Sequence, residues 1–279
     1  MKIKIGIIQM AFSQSMDENS KKLISYIESA ALKDAQIVVL PELHQAHYFC
    51  KNQDAKHFAS AYEVAKHPQI LLLQEIAKKY QIVIPCSFFE KDGPHFYNSL
   101  AMIDADGSIL GIYRKSHIPD GEGYQEKFYF RPGNTGFQVF NTKYAKIGAG
   151  ICWDQWFCEP ARIMALKGAE LLLYPTAIGS EPNNPQLCTT KPWVRVMKGH
   201  AVCNMIPVIA ANRVGNEDGQ NFYGNSFACD EFGEELIRMN NHEEGVAVVE
   251  VDLEKAQNNQ AAFGFFRDRR IELYGEIVK

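Results

Sequence analysis

Three side chains that could carry covalent hydrolysis each follow a short apolar run. Glu42 stands directly after IVVLP, Lys115 ends SILGIYRK, and Cys152 follows KIGAGI. A carboxylate behind a buried strand is poorly solvated, which suits a general base, and a lysine near a thiol favours the thiolate and can donate to an oxyanion. Taken singly, these residues have ordinary alternatives: a surface acid, a cation in a solvated turn and a buried structural cysteine.

The segment around Cys152 has the pattern of a strand, a sharp turn and a helix start. An apolar run stops at Cys152, and Pro160 lies in the first turn of a predicted helix. Open α/β folds place their chemistry at the carboxyl ends of buried strands. We therefore interpret Cys152 as a nucleophile, with the Trp153 amide as an oxyanion donor. Small Gly148 and Gly150 are expected to let a substrate approach the backbone closely.

Strands interleaved with helices and hairpins are expected to position these residues, and no linker or repeat divides the chain. Two face-to-face sheets with outer helices would fit this order, as would an ordinary three-layer sandwich. Predicted strands are Ile3–Gln9, Ile37–Leu40, Ile82–Phe88, Asn98–Ile103, Ser108–Tyr113, Val139–Phe140, Ala145–Ile151, Leu171–Tyr174, Pro207–Ala211, Phe222–Cys229, Glu235–Arg238 and Val246–Val251. Predicted helices are Asp17–Leu32, Ala59–Lys66, Ile70–Tyr80, one from Pro160, Trp193–Asn204 and Leu253–Asn259, and GNEDGQNFYG is interpreted as a turn.

Composition narrows the class of protein. The chain has 279 residues, a formal net charge of −4 and a sequence pI of about 6.1, so no basic field favours nucleic acid or an anionic membrane surface. No apolar run reaches the roughly 20 residues of a spanning helix. Seven irregularly spaced cysteines favour reduced thiols over a disulfide framework. We expect a cytoplasmic protein whose N-terminal apolar run is its first strand.

Other kinds of site have weaker signals. His44, His47 and Cys50 resemble metal spacing, but no second ligand pair accompanies them, so no metal is predicted. A serine triad has no G-x-S-x-G elbow to start from. The glycine-rich GNEDGQNFYG lacks the lysine and serine of a phosphate cradle.

Taken together, the three segments resemble the nitrilase superfamily. PEL at Glu42, YRKSHIP at Lys115 and GICWDQWF at Cys152 match its Glu-Lys-Cys triad in order and approximate separation, and the resemblance runs from GIIQM to VDL. Three motifs in register are more specific than any one. The resemblance implies a single-domain, four-layer αββα sandwich.

Within this superfamily, the chain is more similar to the N-carbamoylputrescine amidases. The similarity rests on HIPDGEGYQEKFYFRPG, YPTAIGSEP, WVRVMKGHA and AANRVG. It implies Glu126 as a second active-site glutamate, no metal or organic cofactor, and a homo-oligomer built from dimers. We place the hydrolase domain at residues 1–259 and a tail at 260–279 that packs on a neighbouring subunit.

The resemblance also implies a mechanism. Glu42 takes the thiol proton as Cys152 attacks a carbamoyl carbon, Lys115 and the Trp153 amide hold the oxyanion, ammonia leaves, and water hydrolyses the S-carbamoyl enzyme. Glu126 is expected to orient Lys115 or the substrate nitrogen. The ammonium of the substrate should bind a carboxylate and an aromatic face. The candidate substrate-binding residues are Asp120, Glu122, Tyr129, Asp154 and Glu181, with Glu181 and Asp120 favoured.

Alternatives remain open from the sequence. An amidohydrolase acting on a carbamoyl amino acid, as β-ureidopropionase does, or on a plain amide would suit the same triad, and Arg195 or Arg213 could bind a substrate carboxylate. A non-catalytic binding protein on this scaffold should have lost a triad residue. The chain departs from the amidase pattern at Cys158 and Pro160 and at Lys191-Pro192.

Overall fold

A computed structural model describes residues 1–184 and 186–279. The strands are β1 Lys2–Gln9, β2 Ile37–Val39, β3 Ile84–Asp92, β4 His95–Ile103, β5 Ile109–Arg114, β6 Val139–Asn141, β7 Lys146–Ala149, β8 Leu171–Pro175, β9 Val208–Ala211, β10 Val214–Glu217, β11 Gln220–Tyr223, β12 Phe227–Cys229, β13 Glu235–Arg238 and β14 Gly245–Asp252. The α-helices are α1 Met16–Ala31, α2 Pro68–Tyr80, α3 Cys158–Leu166, α4 Thr190–Asn204 and α5 Leu253–Phe263.

Two sheets form the middle of the molecule. One has the order β14-β1-β2 and continues through backbone hydrogen bonds of Val83 to Val38 and Gln36, each 2.9 Å, into β3-β4-β5. The other has the order β13-β12-β9-β8-β7-β6, with β7, β8 and β9 parallel. Strands β10 and β11 form a separate two-stranded hairpin.

Alternation along the strands decides which side chains face the other sheet. Ile3, Ile5 and Ile7 of β1 pack with Leu171 and Leu173 of β8 in one fully buried cluster between the sheets. Their neighbours Ile8 and Leu172 face outward into two further clusters, one beneath α1 and α2 and one beneath α3 and α4. Burying each such side chain contributes roughly 1.5–3 kcal/mol. This helix–sheet–sheet–helix order confirms the predicted αββα sandwich.

The ends of the helices follow local chemistry. The Ser15 side chain accepts from the Glu18 amide at the start of α1, and Leu23 and Ile27 form its buried stripe. Helix α2 begins at Pro68, because an N–H in the first turn would have no partner within the helix. The helix is followed by Gln81 in the left-handed conformation, which ends it.

The prediction of a helix over Ala59–Lys66 is wrong. Two 3₁₀ turns, Ala55–Ser60 and Val64–Lys66, flank Tyr62, whose amide donates to the Phe89 carbonyl at 3.2 Å. The extended pairing of Tyr62 with Glu90 interrupts the helical pattern. Tertiary pairing has overridden local propensity here.

Two other segments differ from their predicted form. GNEDGQNFYG contains a hairpin rather than only a turn, with Asp218 and Gly219 at φ of 47° and 95° joining β10 to β11. Both residues at positive φ are typical of a type I′ hairpin turn. Helix α5 ends at Phe263 with Gly264 at φ 69°. The domain boundary predicted after residue 259 therefore falls within this helix.

Candidate active site

The ends of three strands bring the predicted site residues into two neighbouring layers. Glu42 lies three residues beyond β2, Lys115 directly follows β5, and Cys152 lies three residues beyond β7. β2 and β5 belong to one sheet and β7 to the other, so the site lies where the two sheets meet at their ends. All three side chains are at least 94% buried, with exposed fractions of 0%, 0% and 6%.

Lys115 is the hydrogen-bonding centre of the site. Its Nζ donates to Glu42 Oε1 at 2.8 Å and to both carboxylate oxygens of Glu126, at 2.9 and 2.7 Å. Asn98 Nδ2 also donates to Glu42 Oε1, at 2.6 Å. The structure thus brings Glu42, Lys115 and Glu126 together as a fully buried carboxylate–ammonium–carboxylate group.

One oxygen of Glu42 has no partner in the described part of the chain. Oε1 accepts from both Lys115 and Asn98, whereas Oε2 is buried and unpaired. A buried acceptor without a hydrogen bond costs free energy unless water, substrate or a proton reaches it. Lys115 and Asn98 therefore fix one edge of the carboxylate and leave the other edge available to a reacting proton.

Cys152 occupies a strained turn. Its φ of 41° lies in the left-handed region, which residues other than glycine, asparagine and aspartate seldom adopt. It opens a 3₁₀ turn over Cys152–Trp156, and its thiol lies 3.7 Å from the Ala177 carbonyl oxygen. Leu43, directly after Glu42, is likewise at a positive φ, 46°. Backbone strain is therefore present beside both the thiol and the carboxylate.

The protonation states of the site follow from burial and neighbouring charge. Burial raises the pKa of the Cys152 thiol well above its usual value, Glu42 raises it further, and Lys115 opposes them. Burial acts to lower the pKa of Lys115, but Glu126 and Glu42 outweigh it, and that pKa is raised well above its usual value. The resting site therefore holds a neutral thiol beside a charged ammonium.

Glu126 differs from the other groups because its titration lies near neutrality. Burial raises its pKa to about 7, with Lys115 opposing the shift and Glu42 adding to it. The Tyr48 hydroxyl donates to Glu126 Oε1 at 2.6 Å, which favours the ionised carboxylate. Tyr48 is thus the third donor group on the two glutamates of the site.

Arg213 supports the segment that carries Glu42. Its guanidinium donates to the backbone carbonyls of Glu42, at 3.2 and 3.1 Å, and Leu43. It also pairs with Glu217 at 2.8 Å, and Glu217 accepts from the Tyr48 amide at 2.6 Å. Arg213 is fully buried and its donors are occupied, so these contacts correct the suggestion that it could receive a substrate carboxylate.

The Trp153 amide is the predicted oxyanion donor. Within residues 1–184 and 186–279, no backbone or side-chain acceptor takes its N–H. It lies one residue past the thiol, in the turn that begins at Cys152. The amide is therefore available to an oxygen that forms next to the sulfur.

Gly148 and Gly150, which precede Cys152, are needed for a different reason from the one predicted. A Cβ at Gly148 would lie 2.8 Å from Leu172, and a Cβ at Gly150 would lie 2.8 Å from the Tyr174 ring. Both glycines are thus required by packing against the protein itself. The expectation that they admit substrate to the backbone is not supported by these contacts.

Two predicted substrate-binding residues belong to the framework instead. Both carboxylate oxygens of Asp154 are buried and accept from protein donors. The Tyr129 hydroxyl donates to the Asn52 carbonyl at 2.5 Å and accepts from the Asp54 amide at 2.9 Å, and its ring lies among phenylalanines. These contacts correct the prediction that either side chain binds substrate.

Glu181 is half-buried, whereas Asp120 and Glu122 are exposed. Burial raises the pKa of the Glu181 carboxyl and of the Tyr124 hydroxyl, and the Glu181 charge adds to the shift of Tyr124. The Tyr124 hydroxyl donates to the Ser180 carbonyl at 3.1 Å. Glu181 thus directly follows a residue that contacts Tyr124.

The histidines and cysteine that resembled metal spacing have separate partners. His44 is buried against the Pro41 carbonyl, and burial lowers its pKa to about 3. His47 pairs with Asp218 at 3.0 Å, and Cys50 is buried. No group of three histidine, cysteine, aspartate or glutamate side chains suited to a metal occurs in the described residues. Over the same residues, no helix is long and apolar enough to cross a bilayer.

Two residues of the site were not found from the sequence, and a third was suggested for a different role. Asn98 and Tyr48 contact the two glutamates, and Arg213 holds the backbone of one of them. Asn98 is fully buried beside the equally buried Ser99 in β4, and a polar pair inside a strand is the signal that could have found it. Tyr48 gave no such signal, because an aromatic residue near a loop is ordinary, and Arg213 was considered only as a partner for a substrate carboxylate.

Comparisons with known proteins identify the family of the chain. The profile of the family described as "Carbon-nitrogen hydrolase" matches residues 4–260. The chain is 51% identical to the Citrullinase of Francisella tularensis, over 99% of this chain and 98% of that protein. It is 48% identical to the N-carbamoylputrescine amidase of Oryza sativa subsp. japonica, over 99% and 95% respectively. A crystal structure of a carbon-nitrogen hydrolase from Helicobacter pylori G27 superposes with a TM-score of 0.93 at 38% identity, over 100% of this chain and 99% of that one.

Proposed function

The chain belongs to the carbon–nitrogen hydrolase family of the nitrilase superfamily, and from that premise we propose that it hydrolyses N-carbamoylputrescine to putrescine, carbon dioxide and ammonia. Family membership makes it an amidohydrolase acting on carbon–nitrogen bonds other than peptide bonds. The observation that carries the proposal is the buried Glu42 carboxylate, fixed on one oxygen and unpaired on the other beside a neutral thiol.

The first half-reaction uses the unpaired oxygen. Glu42 Oε2 takes the Cys152 proton while the sulfur attacks the carbamoyl carbon, and the carbonyl electron pair moves onto its oxygen. Lys115 and the Trp153 amide hold that oxyanion. All three protons of Lys115 already have carboxylate acceptors, so one contact to Glu126 must be exchanged for the oxyanion. The tetrahedral centre then collapses, and ammonia leaves with the proton from Glu42.

The second half-reaction repeats the proton transfer with water. The enzyme now carries an S-carbamoyl group whose nitrogen bears the aminobutyl chain. Glu42 takes a proton from water, the resulting hydroxide attacks the same carbon, and the cysteine leaves as a thiol after receiving that proton. The released N-substituted carbamate loses carbon dioxide and becomes the diamine, which is putrescine. Every proton transfer to or from Cys152, the leaving ammonia and the attacking water in this sequence passes through Glu42.

Tyr48→Phe is expected to shift the acidic limb of the pH profile to higher pH by about one pH unit. A shift of this size corresponds to the loss of one hydrogen bond to a carboxylate. An ionised Glu126 helps to hold Lys115 as an ammonium, so activity is expected to fall as pH drops through the pKa of Glu126. The Tyr48 hydroxyl lowers that pKa, and its loss raises it above about 7. The measurement is kcat/KM against pH around neutrality.

The matched control for this substitution is Tyr80→Phe. The Tyr80 hydroxyl also donates to a carboxylate, Glu28 Oε1 at 2.7 Å, but on the surface between α1 and α2. Its pH profile should coincide with that of the unchanged protein. An inflection for Tyr48→Phe that stays in place or moves to lower pH contradicts the assigned role of Tyr48.

The distal ammonium of the substrate is assigned to Glu181. Residues 120–124 and 180–182 contact one another, since a Cβ at Gly123 would lie 2.7 Å from Pro182, and Tyr124 hydrogen-bonds to both Gly179 and Ser180. Glu181 therefore directly follows the residue whose carbonyl accepts from the Tyr124 hydroxyl, and a carboxylate near an aromatic ring is the pairing expected for an ammonium. Asp120 and Glu122 are exposed in the same region and supply further negative charge.

Glu181→Gln is expected to raise KM for N-carbamoylputrescine about tenfold, or ~1.4 kcal/mol, with little change in kcat, because it removes one charge-assisted contact far from the reacting carbon. N-butylurea is the matched control substrate, since it has the same ureido group and no ammonium. Its KM should not change. Steady-state kinetics on both compounds provide the measurement, and an unchanged KM for N-carbamoylputrescine removes Glu181 from the binding site.

Citrulline is the second candidate substrate, because one of the most similar relatives is a Citrullinase. Citrulline and N-carbamoylputrescine share the ureido group and the distal amine, and citrulline adds a carboxylate. That carboxylate needs a cation, and Arg213 is already committed to Glu217 and the backbone. Arg195 is exposed on α4, and the side chains at residues 120, 122 and 181 are acidic. These charges favour the substrate without the carboxylate.

Ammonia release from a panel of ureido compounds tests the choice. N-carbamoylputrescine, citrulline and N-carbamoyl-β-alanine differ at the distal end and share the reacting group. We expect the highest kcat/KM for N-carbamoylputrescine. A higher kcat/KM for citrulline would identify citrulline as the substrate and leave the mechanism unchanged. If none of the compounds releases ammonia, the assignment of ureido substrates is wrong.

We propose a homo-oligomer of this chain in the reducing cytoplasm. All seven cysteines are free. The outer face of α3 and α4 and the tail at residues 260–279 expose apolar side chains that a neighbouring subunit would cover: Ile163, Leu166, Val202, Phe263, Phe265, Ile271, Leu273, Ile277 and Val278. Light scattering of the purified chain tests this, since a monomer at working concentration would refute it.

A further inference from the structure

Asp154 has a completely buried carboxylate that the reaction described above does not use. Oδ2 accepts from the Tyr113 hydroxyl at 2.7 Å and from the Ile151 amide at 3.0 Å. Oδ1 accepts from the His117 amide at 3.0 Å and from His117 Nδ1 at 2.7 Å. Four donors therefore converge on one carboxylate, which has no exposure to solvent.

These donors come from both sides of the site. Tyr113 and His117 stand two residues before and two residues after Lys115, whereas Ile151 directly precedes Cys152. Asp154 itself belongs to the 3₁₀ turn that begins at Cys152. A single carboxylate thus joins the segment of the oxyanion-binding lysine in one sheet to the turn of the nucleophile in the other.

The surroundings of Asp154 leave it little freedom. His117 stacks on Phe157, with ring centroids 3.8 Å apart and an interplanar angle of 10°, and also faces Phe137. The Asp154 amide donates to the Ile151 carbonyl at 3.1 Å, which closes the turn. The left-handed φ of Cys152 needs such external support, because that conformation is strained for a side chain.

We propose that Asp154 is a positioning residue that fixes the distance between the Cys152 sulfur and the Lys115 ammonium. The inference rests on the proposed function and deepens it, because it concerns the same reaction. The Lys115 contact to an oxyanion depends on sub-ångström placement of the two segments, and a 1 Å displacement can cost about 10²-fold in rate. Asp154 touches neither the reacting atoms nor the substrate in this role.

The test is Asp154→Asn, which keeps the shape of the side chain. The NH₂ group of the new amide would face protein donors in place of one carboxylate oxygen. The asparagine side chain therefore cannot accept all four hydrogen bonds. We expect kcat for ureido hydrolysis to fall about 10²-fold while KM changes less than about threefold, because placement of the reacting groups is lost and the distal contacts remain. Because unfolded protein would also lower the apparent kcat without changing KM, kcat is calculated per folded enzyme.

Asp104→Asn is the matched control. Asp104 Oδ1 accepts from the amides of Ala105, at 2.8 Å, and Lys143, at 3.0 Å, at the opposite end of the β4–β5 hairpin. The control variant also loses a carboxylate that accepts backbone N–H groups, but at a place far from the site. Its kinetic constants should match those of the unchanged protein, and thermal unfolding of both variants corrects for any loss of folded material.

A second readout separates this inference from the proposed substrate. The rate at which iodoacetamide alkylates Cys152 needs no substrate, and its pH midpoint reports the thiol. Lys115 lowers the pKa of that thiol, so greater separation should move the midpoint to higher pH in Asp154→Asn and leave it in place in Asp104→Asn. An unchanged or lower midpoint overturns the positioning role. A raised midpoint with no hydrolysis of any ureido compound rejects the substrate and keeps the role.

Discussion

Replacing Cys152 by alanine is expected to lower kcat for ureido hydrolysis by at least about 10⁴-fold, because no other group on the site can form the covalent intermediate. Lys115 is held as an ammonium by two carboxylates, and its protonated nitrogen has no lone pair for attack. Glu42 and Glu126 would have to attack as carboxylates already bound to that lysine. Substrate binding should survive, since Glu181 is untouched.

The control for this substitution is Cys229→Ala. Cys229 is also fully buried, but it lies on β12 in the cluster beneath α3 and α4. It should retain full activity with a modest loss of stability, on the order of 1 kcal/mol for removing a small buried side chain. Ammonia release is measured for both variants. More than about one per cent of the original activity in Cys152→Ala would show that the thiol is not the nucleophile.

Glu42→Gln is expected to lower kcat by about 10³-fold, the usual range for removing a general base. Glutamine can still accept from Lys115 and Asn98 at the position of Oε1, so the framework is largely kept. The unpaired Oε2 becomes an amide, which cannot take the thiol proton. Because burial and charge keep that thiol protonated, loss of the base stops the attack at its first step.

Glu63→Gln is a suitable control, because Glu63 forms only an exposed ion pair with Lys66. The two variants are compared by kcat at several pH values. Activity of Glu42→Gln within about tenfold of the original protein would mean that another group accepts the proton. The remaining buried acid at the site is Glu126, and an added Glu126→Gln substitution would identify it.

The apolar strand before each of Glu42, Lys115 and Cys152 made these residues candidates, because the carboxyl ends of strands gather at the edge of a sheet. The family resemblance then favoured them over the ordinary alternatives that each had when taken singly. Glu126 came only from the family resemblance, since no local pattern marks it. Asn98 and Tyr48 act through pairing between distant segments, which no local pattern contains.

Side-chain direction was the other limit of sequence reasoning. Asp154 lies two residues from the nucleophile, and that spacing correctly placed it near the site. Its carboxylate nevertheless contacts Tyr113 of β5 and His117 just beyond that strand, which belong to the other side of the site. The strand predicted over Ile3–Gln9 is confirmed by β1, whereas the pairing of Tyr62 with Glu90 overrode the helical pattern over Ala59–Lys66.

Mass spectrometry of the enzyme quenched during turnover of N-carbamoylputrescine tests the covalent role of Cys152 most directly. The proposed mechanism predicts that the peptide containing Cys152 gains the mass of the substrate less ammonia, and that acid quenching preserves this adduct. No adduct on that peptide, or an adduct on another residue, while the enzyme releases ammonia at its normal rate would contradict it.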